Sequence, residues 1–222
     1  MSLTGSFIDH TLLKPDATIK QLDQLCNEAV EHKFATVCIQ PCHVKYVVDK
    51  YPIRVCTVIG FPLGATTTQT KLFECQQALN DGAQEIDMVI NIGKIKDGNF
   101  EYVQNEIEQL AKLVHSSGEN KILKVIIETC LLNETEKQKL CQIVGDAGAD
   151  FIKTSTGFST GGATMDDIKL LRQYSPKNVQ VKASGGIRDG AFAREIIQAG
   201  ATRLGTSSGV ALMKDMPATS NY

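Results

Sequence analysis

Apolar residues recur along the chain in two alternating patterns, short β-branched runs and longer segments with helical spacing. The clearest helical segment follows Asn99, with apolar residues at 100, 103, 107, 110 and 114 and a stop at Gly118. Another begins at Thr164, where Asp167 provides a weak variant of the capping box. Between the helical segments we predict eight strands, at 7–9, 36–39, 54–59, 85–89, 122–128, 151–154, 180–183 and 203–205.

Alternation of strands and helices predicts an α/β fold. Strands joined through helices run parallel with right-handed crossovers, and eight such units can close into a TIM (β/α)8 barrel. No Pro/Gly/Ser-rich linker and no low-complexity tract divides the chain. We therefore predict a single barrel domain over residues 1–213, followed by a flexible C-terminal tail over residues 214–222.

An internal repeat supports this register. Gly82, Gly148 and Gly200 are each followed by alanine and then by a predicted strand, so each glycine is expected to end a helix in the left-handed conformation. The fifth residue after each glycine then occupies a similar layer of the barrel. Those residues are Asp87, Lys153 and Gly205.

Composition and charge exclude several classes of function. The net charge of -2, without a stripe of Lys and Arg, argues against nucleic acid as a partner. The apolar runs are far shorter than the roughly 20 residues of a membrane helix, and the N-terminus lacks a signal-peptide pattern, so we predict a cytoplasmic protein without membrane contact. Seven scattered cysteines, an odd number, predict reduced thiols.

One group of residues, Cys38, Cys42 and His43, has the composition of a metal site. It lacks the paired C-x₂-C spacing and a second pair of ligands downstream. A packed Cys38 followed by the start of a helix explains the group better. We predict that the protein uses neither a metal nor another cofactor.

Charged residues close three of the apolar runs: Lys153, Lys182 and Asp87. Catalytic groups of a barrel project from the C-terminal ends of its strands. Ionised side chains are costly to bury unless they are paired. In a purely structural interpretation, each lysine pairs with a carboxylate, either Asp87 or Glu128.

Two lysines on consecutive strands favour a reactive amine instead. They repel, each disfavours the protonation of the other, and one carboxylate satisfies only one of them well. A free lysine with a pKa of about 10.4 is almost entirely protonated near pH 7, so an amine nucleophile needs such a neighbour. We predict that Lys153 forms an imine with a carbonyl substrate while Lys182 and Asp87 move protons. This requires Asp87 to lie nearer Lys182 than Lys153.

Three alternatives stay open at this point. They are a Schiff-base enzyme with another carbonyl substrate, a metal-dependent aldolase or isomerase, and a phosphate-binding barrel without catalytic activity. Trapping of an imine with borohydride and survival of activity in EDTA distinguish them.

Four segments resemble the deoxyribose-phosphate aldolase family: Glu85-Ile86-Asp87-Met88-Val89, Lys124-Val125-Ile126-Ile127-Glu128-Thr129, Phe151-Ile152-Lys153-Thr154-Ser155-Thr156-Gly157 and Val181-Lys182-Ala183-Ser184-Gly185-Gly186. The resemblance runs from Asp9 to about Met213, and Lys-Thr-Ser-Thr-Gly is its most specific part. It implies a metal-free lyase on a TIM barrel that reversibly cleaves 2-deoxy-D-ribose 5-phosphate into D-glyceraldehyde 3-phosphate and acetaldehyde. It also implies that Lys153 forms the Schiff base, with Asp87 and Lys182 as proton donors and acceptors.

A phosphosugar substrate needs donors for its phosphate, and glycine-rich loops that lead into helices supply backbone N–H groups. Five residues in the loops after the last three strands are candidates: Gly157, Gly185, Gly186, Ser207 and Ser208. Each loop alone is also compatible with an ordinary βα turn. Part of the family has a basic residue after Lys-Thr-Ser-Thr-Gly, where this chain has Phe158, which leaves Arg188 as a candidate cation.

Lys124 lies on the same face of its strand as Ile126 and Glu128, either behind the catalytic residues or leaning out at the start of the strand. Tyr222, at the end of the tail, is a candidate proton relay if the tail folds over the barrel mouth. A G-x-S-x-G pattern around Ser159 is set aside because all four histidines precede it. A homodimer or homotetramer stays open.

Overall fold

The computed structural model describes residues 3–214 and 216, and in it the chain forms a closed barrel of eight parallel strands. Each strand pairs with its neighbour in sequence, and β8 pairs with β1 to close the barrel. The predicted TIM barrel is confirmed. The strands are β1 (Ile8–Leu12), β2 (Thr36–Ile39), β3 (Val55–Ile59), β4 (Glu85–Val89), β5 (Ile122–Ile126), β6 (Phe151–Lys153), β7 (Gln180–Ser184) and β8 (Arg203–Thr206).

Helices follow the strands and cover the outside of the barrel. They are α1 (Ile19–Glu31), α2 (Val44–Lys50), α3 (Thr68–Asn80), α4 (Ile92–Lys96), α5 (Phe100–Ser116), α6 (Glu134–Asp146), α7 (Met165–Tyr174), α8 (Gly190–Gln198) and α9 (Gly209–Met213). Short 3-10 turns lie at Gly5–Phe7, Pro41–His43 and Thr129–Leu131.

The predicted caps and turns are present. Asn99 accepts a hydrogen bond from the backbone N–H of Tyr102 at 3.1 Å, and Thr164 accepts one from Asp167 at 3.1 Å. The three glycines of the repeat have φ angles of 102°, 79° and 119°, as a chain turning from helix to strand requires. Helix α5 ends at Ser116, two residues before Gly118.

Six strands differ from their predicted bounds; β3, β6, β7 and β8 differ by one residue at one end, and β1 and β5 differ by more. Strand β1 begins at Ile8 because residues 5–7 form a 3-10 turn, and it continues to Leu12. Strand β5 ends at Ile126 instead of 128 because Glu128 has a φ of 55°, which no strand residue adopts. This turn redirects the Glu128 side chain toward the loop after β6.

Side chains alternate between the two faces of every strand. Outward residues such as Ile8, Val37, Ile86 and Ile152 are fully buried against the helices in one large apolar core. Burial of such a side chain stabilises the fold by about 1.5–3 kcal/mol. Because this outer layer carries the packing, polar and charged side chains can occupy much of the barrel interior.

Candidate active site

Lys153 is the last residue of β6, opposite Lys182 of β7 in the register of the sheet. Its side chain points into the barrel and is 3% exposed, and the residue lines a cavity at the C-terminal mouth. The ammonium position is therefore buried but accessible to a small molecule. This is where the sequence placed the nucleophile.

Asp87, on β4, is shared by three lysines. Its Oδ2 accepts hydrogen bonds from the Nζ atoms of Lys153 and Lys182, both at 2.7 Å, and its Oδ1 accepts one from Lys124 at 2.9 Å. Burial raises the pKa of Asp87, but the three ammonium groups outweigh it and hold the pKa well below its usual range. The expectation that Asp87 lies nearer Lys182 than Lys153 is wrong, because one oxygen bridges both.

Lys182 lies deeper in the barrel, between two carboxylates. Besides Asp87 it contacts Asp9 Oδ2 at 2.5 Å, and its side chain is fully buried. Burial lowers the pKa of Lys182, but the charges of Asp87 and Asp9 raise it above the ordinary lysine value. Lys182 is therefore an ammonium group held next to Lys153.

Lys124 also points into the barrel, so the alternative in which it leans out at the start of β5 is wrong. Its Nζ contacts Glu85 Oε2 at 2.6 Å in addition to Asp87, and Asp9 Oδ2 lies 3.9 Å away. Burial lowers the pKa of Lys124, but Asp87 and the other anions raise it well above the ordinary value. A second permanent ammonium thus supports Asp87 from below.

Arg203 completes this group from β8, contacting Asp9 Oδ1 at 2.6 Å and Glu85 Oε2 at 3.0 Å. We call the seven residues the barrel cluster: Asp9, Glu85, Asp87, Lys124, Lys153, Lys182 and Arg203. Sequence reasoning gave no role to Asp9, Glu85 and Arg203. The two-residue period of strands was the available signal, since Glu85 and Arg203 precede Asp87 and Gly205 by two positions.

Two buried thiols lie beside the barrel cluster. Cys56 donates to Asp87 Oδ1 at 3.1 Å, and burial raises the pKa of this thiol well above its ordinary value. Cys38 is its direct partner in the register of β2 and β3. Cys38 is packed inside the barrel and Cys42 is exposed in the turn before α2, in agreement with the expected packed cysteine and helix start.

Two triads of potential metal ligands converge in the described part of the chain: Cys38, Cys56 and Asp87, and Asp9, Cys56 and Glu85. Their carboxylates already bind lysine or arginine side chains at 2.5–3.0 Å. A cation in either triad has to displace or deprotonate those groups. The donor set suits an ammonium network better than a metal.

Of the two carboxylates that the purely structural interpretation offered, Asp87 pairs with both Lys153 and Lys182, whereas Glu128 pairs with neither. Its carboxylate accepts hydrogen bonds from the backbone N–H of Thr156 at 3.2 Å and from the Thr156 hydroxyl at 2.5 Å. The same hydroxyl accepts from the N–H of Phe158 at 3.1 Å. Glu128 therefore fixes the loop that follows Lys153.

A cavity of about 220 Å³ opens above Lys153. Arg188 lines this cavity, and so do all five residues predicted to bind phosphate: Gly157, Gly185, Gly186, Ser207 and Ser208. We call these five residues the glycine–serine loops. The structure brings them to one side of the cavity mouth, where the loops after β6, β7 and β8 meet.

Hydrogen bonds connect the three loops that carry these five residues. The N–H of Ala163 lies 3.0 Å from the carbonyl oxygens of both Ser184 and Gly185, and the Thr206 hydroxyl donates to the carbonyl of Ile187 at 3.0 Å. Gly205 provides space below them, because a Cβ there falls 2.3 Å from Ser184 Oγ. This steric requirement explains why the third copy of the repeat has a glycine where the first two copies have Asp87 and Lys153.

The loop after β6 is uncharged, as its sequence indicates. Phe158 packs edge-to-face on Phe61 at a centroid distance of 5.2 Å, across the mouth of the barrel.

Ser159 is exposed in this loop and lies 3.4 Å from Cys130 Sγ. It does not occupy a strand-to-helix elbow, which agrees with setting aside the hydrolase pattern. Tyr222 lies outside the described residues.

Comparison with known proteins identifies the family. Residues 6–215 match the model of the DeoC/LacD family aldolases. The chain belongs to this aldolase family. Lys153 of this aldolase lies at the mouth of its barrel, and Lys182 and Asp87 lie in the interior.

The relatives of this aldolase cover nearly its whole length. It is 52% identical to a deoxyribose-phosphate aldolase of Thermoanaerobacter sp. (strain X514) over 95% of this chain and 96% of the relative. It is 53% identical to one of Streptococcus gordonii over 98% and 99%. A solved structure with the same name from Aeropyrum pernix, described as a unique tetramer, superposes with a TM-score of 0.87 at 36% identity over 95% and 89% of the two chains. The resemblance noted in the sequence is confirmed.

Proposed function

We propose that this aldolase cleaves 2-deoxy-D-ribose 5-phosphate reversibly into D-glyceraldehyde 3-phosphate and acetaldehyde, with Lys153 as the Schiff-base residue. One observation carries the proposal: Lys153 lines the cavity, while its carboxylate partner Asp87 is shared with the permanent ammonium of Lys182. The names of the relatives supply the substrate.

The first half of the reaction makes the imine. The neutral amine of Lys153 attacks C1 of the open-chain sugar, and loss of water from the carbinolamine gives a protonated imine. Asp87 Oδ2 lies 2.7 Å from the Nζ atoms of both Lys153 and Lys182, so Asp87 and, through it, Lys182 can accept and return the protons that these steps move. General acid/base assistance of this kind contributes typically about 10²- to 10⁴-fold.

The second half breaks the carbon–carbon bond. The C3 hydroxyl loses its proton, the C2–C3 electron pair moves into the imine, and glyceraldehyde 3-phosphate leaves. Protonation of the remaining enamine at C2 and hydrolysis of the imine release acetaldehyde and regenerate the Lys153 amine. The ammonium of Lys182 stays near the reacting carbons as the proton carrier.

We propose that the phosphate of the substrate binds at the glycine–serine loops. Gly185 and Gly186 have φ angles of 82° and 76°, a turn that presents successive backbone groups to the cavity. Arg188 lines the same cavity and is the candidate side-chain cation. Because Phe158 supplies no charge, we propose that backbone N–H groups carry most of the phosphate binding.

The described part of the chain contains no helix long and apolar enough to cross a membrane. We propose a cytoplasmic enzyme that needs no metal, with a barrel domain over 1–213 and a tail over 214–222. A homo-oligomer is proposed only by analogy with the tetramer described for the Aeropyrum pernix protein. Size-exclusion chromatography with light scattering tests it.

The function is tested with purified protein and 2-deoxy-D-ribose 5-phosphate. We expect acetaldehyde release that survives EDTA, and irreversible inactivation when borohydride is added together with substrate. Lys153→Ala is expected to abolish both, while Lys169→Ala, at an exposed lysine of α7, retains both. Activity that EDTA removes, or that persists in Lys153→Ala, contradicts the proposal.

A further inference from the structure

The barrel cluster has an unequal number of opposite charges. It contains three carboxylates and four cationic side chains, so one positive charge is in excess when every group is ionised. Arg54 approaches Glu85 at 3.6 Å from outside, but it is 42% exposed, and water screens its charge. Loss of a single proton from the barrel cluster makes the numbers of positive and negative charges equal.

The four cations are not equally held. Lys124, Lys182 and Arg203 each lie near at least two carboxylates. Among the described residues, Asp87 is the one carboxylate within ion-pair distance of Lys153, and Lys182 binds the same oxygen. The ammonium of Lys153 is therefore the least compensated, and it is also the one that lines the cavity.

We propose that two residues, Lys124 and Glu85, are positioning residues that balance the charge of the barrel cluster so that Lys153 is available as a neutral amine. Lys124 is the partner of Asp87 in the register of β4 and β5, and Glu85 precedes Asp87 by two residues on β4. Lys124 takes up one oxygen of Asp87 and leaves the other to be divided between Lys153 and Lys182. Glu85 in turn neutralises Lys124 and limits the positive charge below the site. The inference rests on the proposed function, since it concerns the same nucleophile.

Groups that face Lys153 from the other strands all enter this balance: Asp9 on β1, Cys38 on β2, Cys56 on β3, Glu85 and Asp87 on β4, Lys124 on β5, Lys182 on β7 and Arg203 on β8. The charge count treats the two thiols as neutral. Cys56 donates a hydrogen bond to Asp87, and burial raises the pKa of this thiol. The hydrogen bond from Cys56 outweighs burial and lowers the pKa of Cys38, so the Cys38 thiol requires a direct test.

The charge count predicts opposite effects for two substitutions. In Lys124→Met the cluster is balanced with Lys153 protonated, so the proton is held more tightly. In Glu85→Gln the excess positive charge grows, so the proton is released more easily. A unit charge a few ångströms away moves such a titration by about one to two pH units.

The test measures the pH dependence of imine formation. Each variant is incubated with acetaldehyde and cyanoborohydride, and the initial rate of adduct formation on Lys153 is followed by mass spectrometry from pH 5 to pH 10. We expect the midpoint to rise by about one to two units in Lys124→Met and to fall by a similar amount in Glu85→Gln. The double variant is expected to return within about half a unit of the wild type.

Two controls isolate the charge. Lys71→Met removes a buried ammonium outside the barrel, and Cys38→Ala removes a thiol inside it; neither is expected to move the midpoint. If Glu85→Gln does not fold, Asp9→Asn removes the other flanking carboxylate and carries the same expected sign. Circular dichroism establishes folding in each case.

Equal shifts in Lys124→Met and Lys71→Met, shifts of the same sign in both cluster variants, or unmoved midpoints overturn the inference. A shift in Cys38→Ala overturns it too, because a thiolate then supplies the missing negative charge. A wild type without any adduct on Lys153 overturns the proposed function itself. The two failures are thus distinguishable.

Discussion

Lys71 and Glu106 are buried between helices α3 and α5, whereas the barrel cluster is buried inside the sheet, and the two regions share charge differently. Lys71 Nζ contacts Glu106 Oε2 at 2.7 Å and the carbonyl of Val89 at 2.8 Å, with both charged side chains fully buried. Lys71 and Glu106, which we call the helix pair, form an ion pair of one cation and one anion. In the barrel cluster, by contrast, Asp87 serves three lysines.

The difference teaches how a buried charge becomes reactive. A paired ammonium with its donors used is a structural element, and its energetic value against apolar replacements is close to zero. An ammonium that shares its only carboxylate is poorly compensated, and it can lose its proton to become a nucleophile. Both regions are buried, so burial alone does not identify the site. The site is identified by its excess of cations over carboxylates together with the access of Lys153 to a cavity.

The largest expected effect comes from removing the anion in each region. Asp87→Asn leaves Lys153 without a carboxylate, and Glu106→Gln does the same to Lys71. Each variant is expected to lose about 3–5 kcal/mol of unfolding free energy. Only Asp87→Asn is expected to lose activity as well, by about 10²- to 10⁴-fold, since of the two carboxylates only Asp87 is proposed to move protons. Urea denaturation and steady-state kinetics measure the two quantities. Comparable loss of kcat in folded Glu106→Gln removes the distinction.

Acid should weaken the barrel cluster. The pKa values of Asp9 and Asp87 are held below the ordinary 3.8, because nearby cations outweigh the opposing effect of burial. Below pH 5 the unfolded chain therefore binds more protons than the folded one, and stability falls as pH falls. We expect a loss of about 2–3 kcal/mol per such carboxyl between pH 5 and pH 2.

Asp9→Asn sharpens that expectation. The variant lacks one of the two carboxyls, so its unfolding free energy should fall with a shallower slope over the same pH range. Urea midpoints collected every half pH unit give the slope. Parallel curves for Asp9→Asn and the wild type show that Asp9 is not the origin of the acid sensitivity.

A smaller effect is expected at Glu128, which holds the loop after β6 through Thr156. Losing a charged acceptor costs about 1.5–3 kcal/mol, so we expect Glu128→Ala to raise KM for the phosphosugar by about tenfold or more with little change in kcat. Glu128→Gln keeps one acceptor and should recover most of the affinity. Glu134→Gln, at an exposed residue that begins α6, is the matched control. A fall in kcat at constant KM contradicts this role.

The smallest effect is expected when the helix pair is replaced as a unit. Lys71→Met combined with Glu106→Leu exchanges a satisfied ion pair for apolar side chains of similar size. We expect unchanged kcat and a stability that is equal or higher by about 1–4 kcal/mol. Loss of activity in the folded double variant indicates that α3 and α5 reach the site and breaks the contrast between the two regions.

Much of the fold follows from the sequence, because strand and helix periods are local. Strands 36–39 and 85–89, the cap at Asn99 and the glycine repeat are all predicted and present. The charge balance is not local. The single oxygen of Asp87 that bridges Lys153 and Lys182 depends on the stagger of β4, β6 and β7, which no spacing in the chain specifies. For the same reason, the sequence alone does not determine whether the Lys124 side chain lies behind the proposed catalytic residues or leans out at the start of β5.

Reductive trapping with residue-level mapping tests the central claim most directly. Wild-type protein is incubated with acetaldehyde and cyanoborohydride at pH 7, digested, and every lysine peptide is quantified for the two-carbon adduct. The account predicts that, among the buried lysines, Lys153 alone is modified, while Lys71, Lys124 and Lys182 stay unmodified in the native protein. Modification of Lys182 or Lys124 in place of Lys153, or no adduct on any buried lysine, contradicts it.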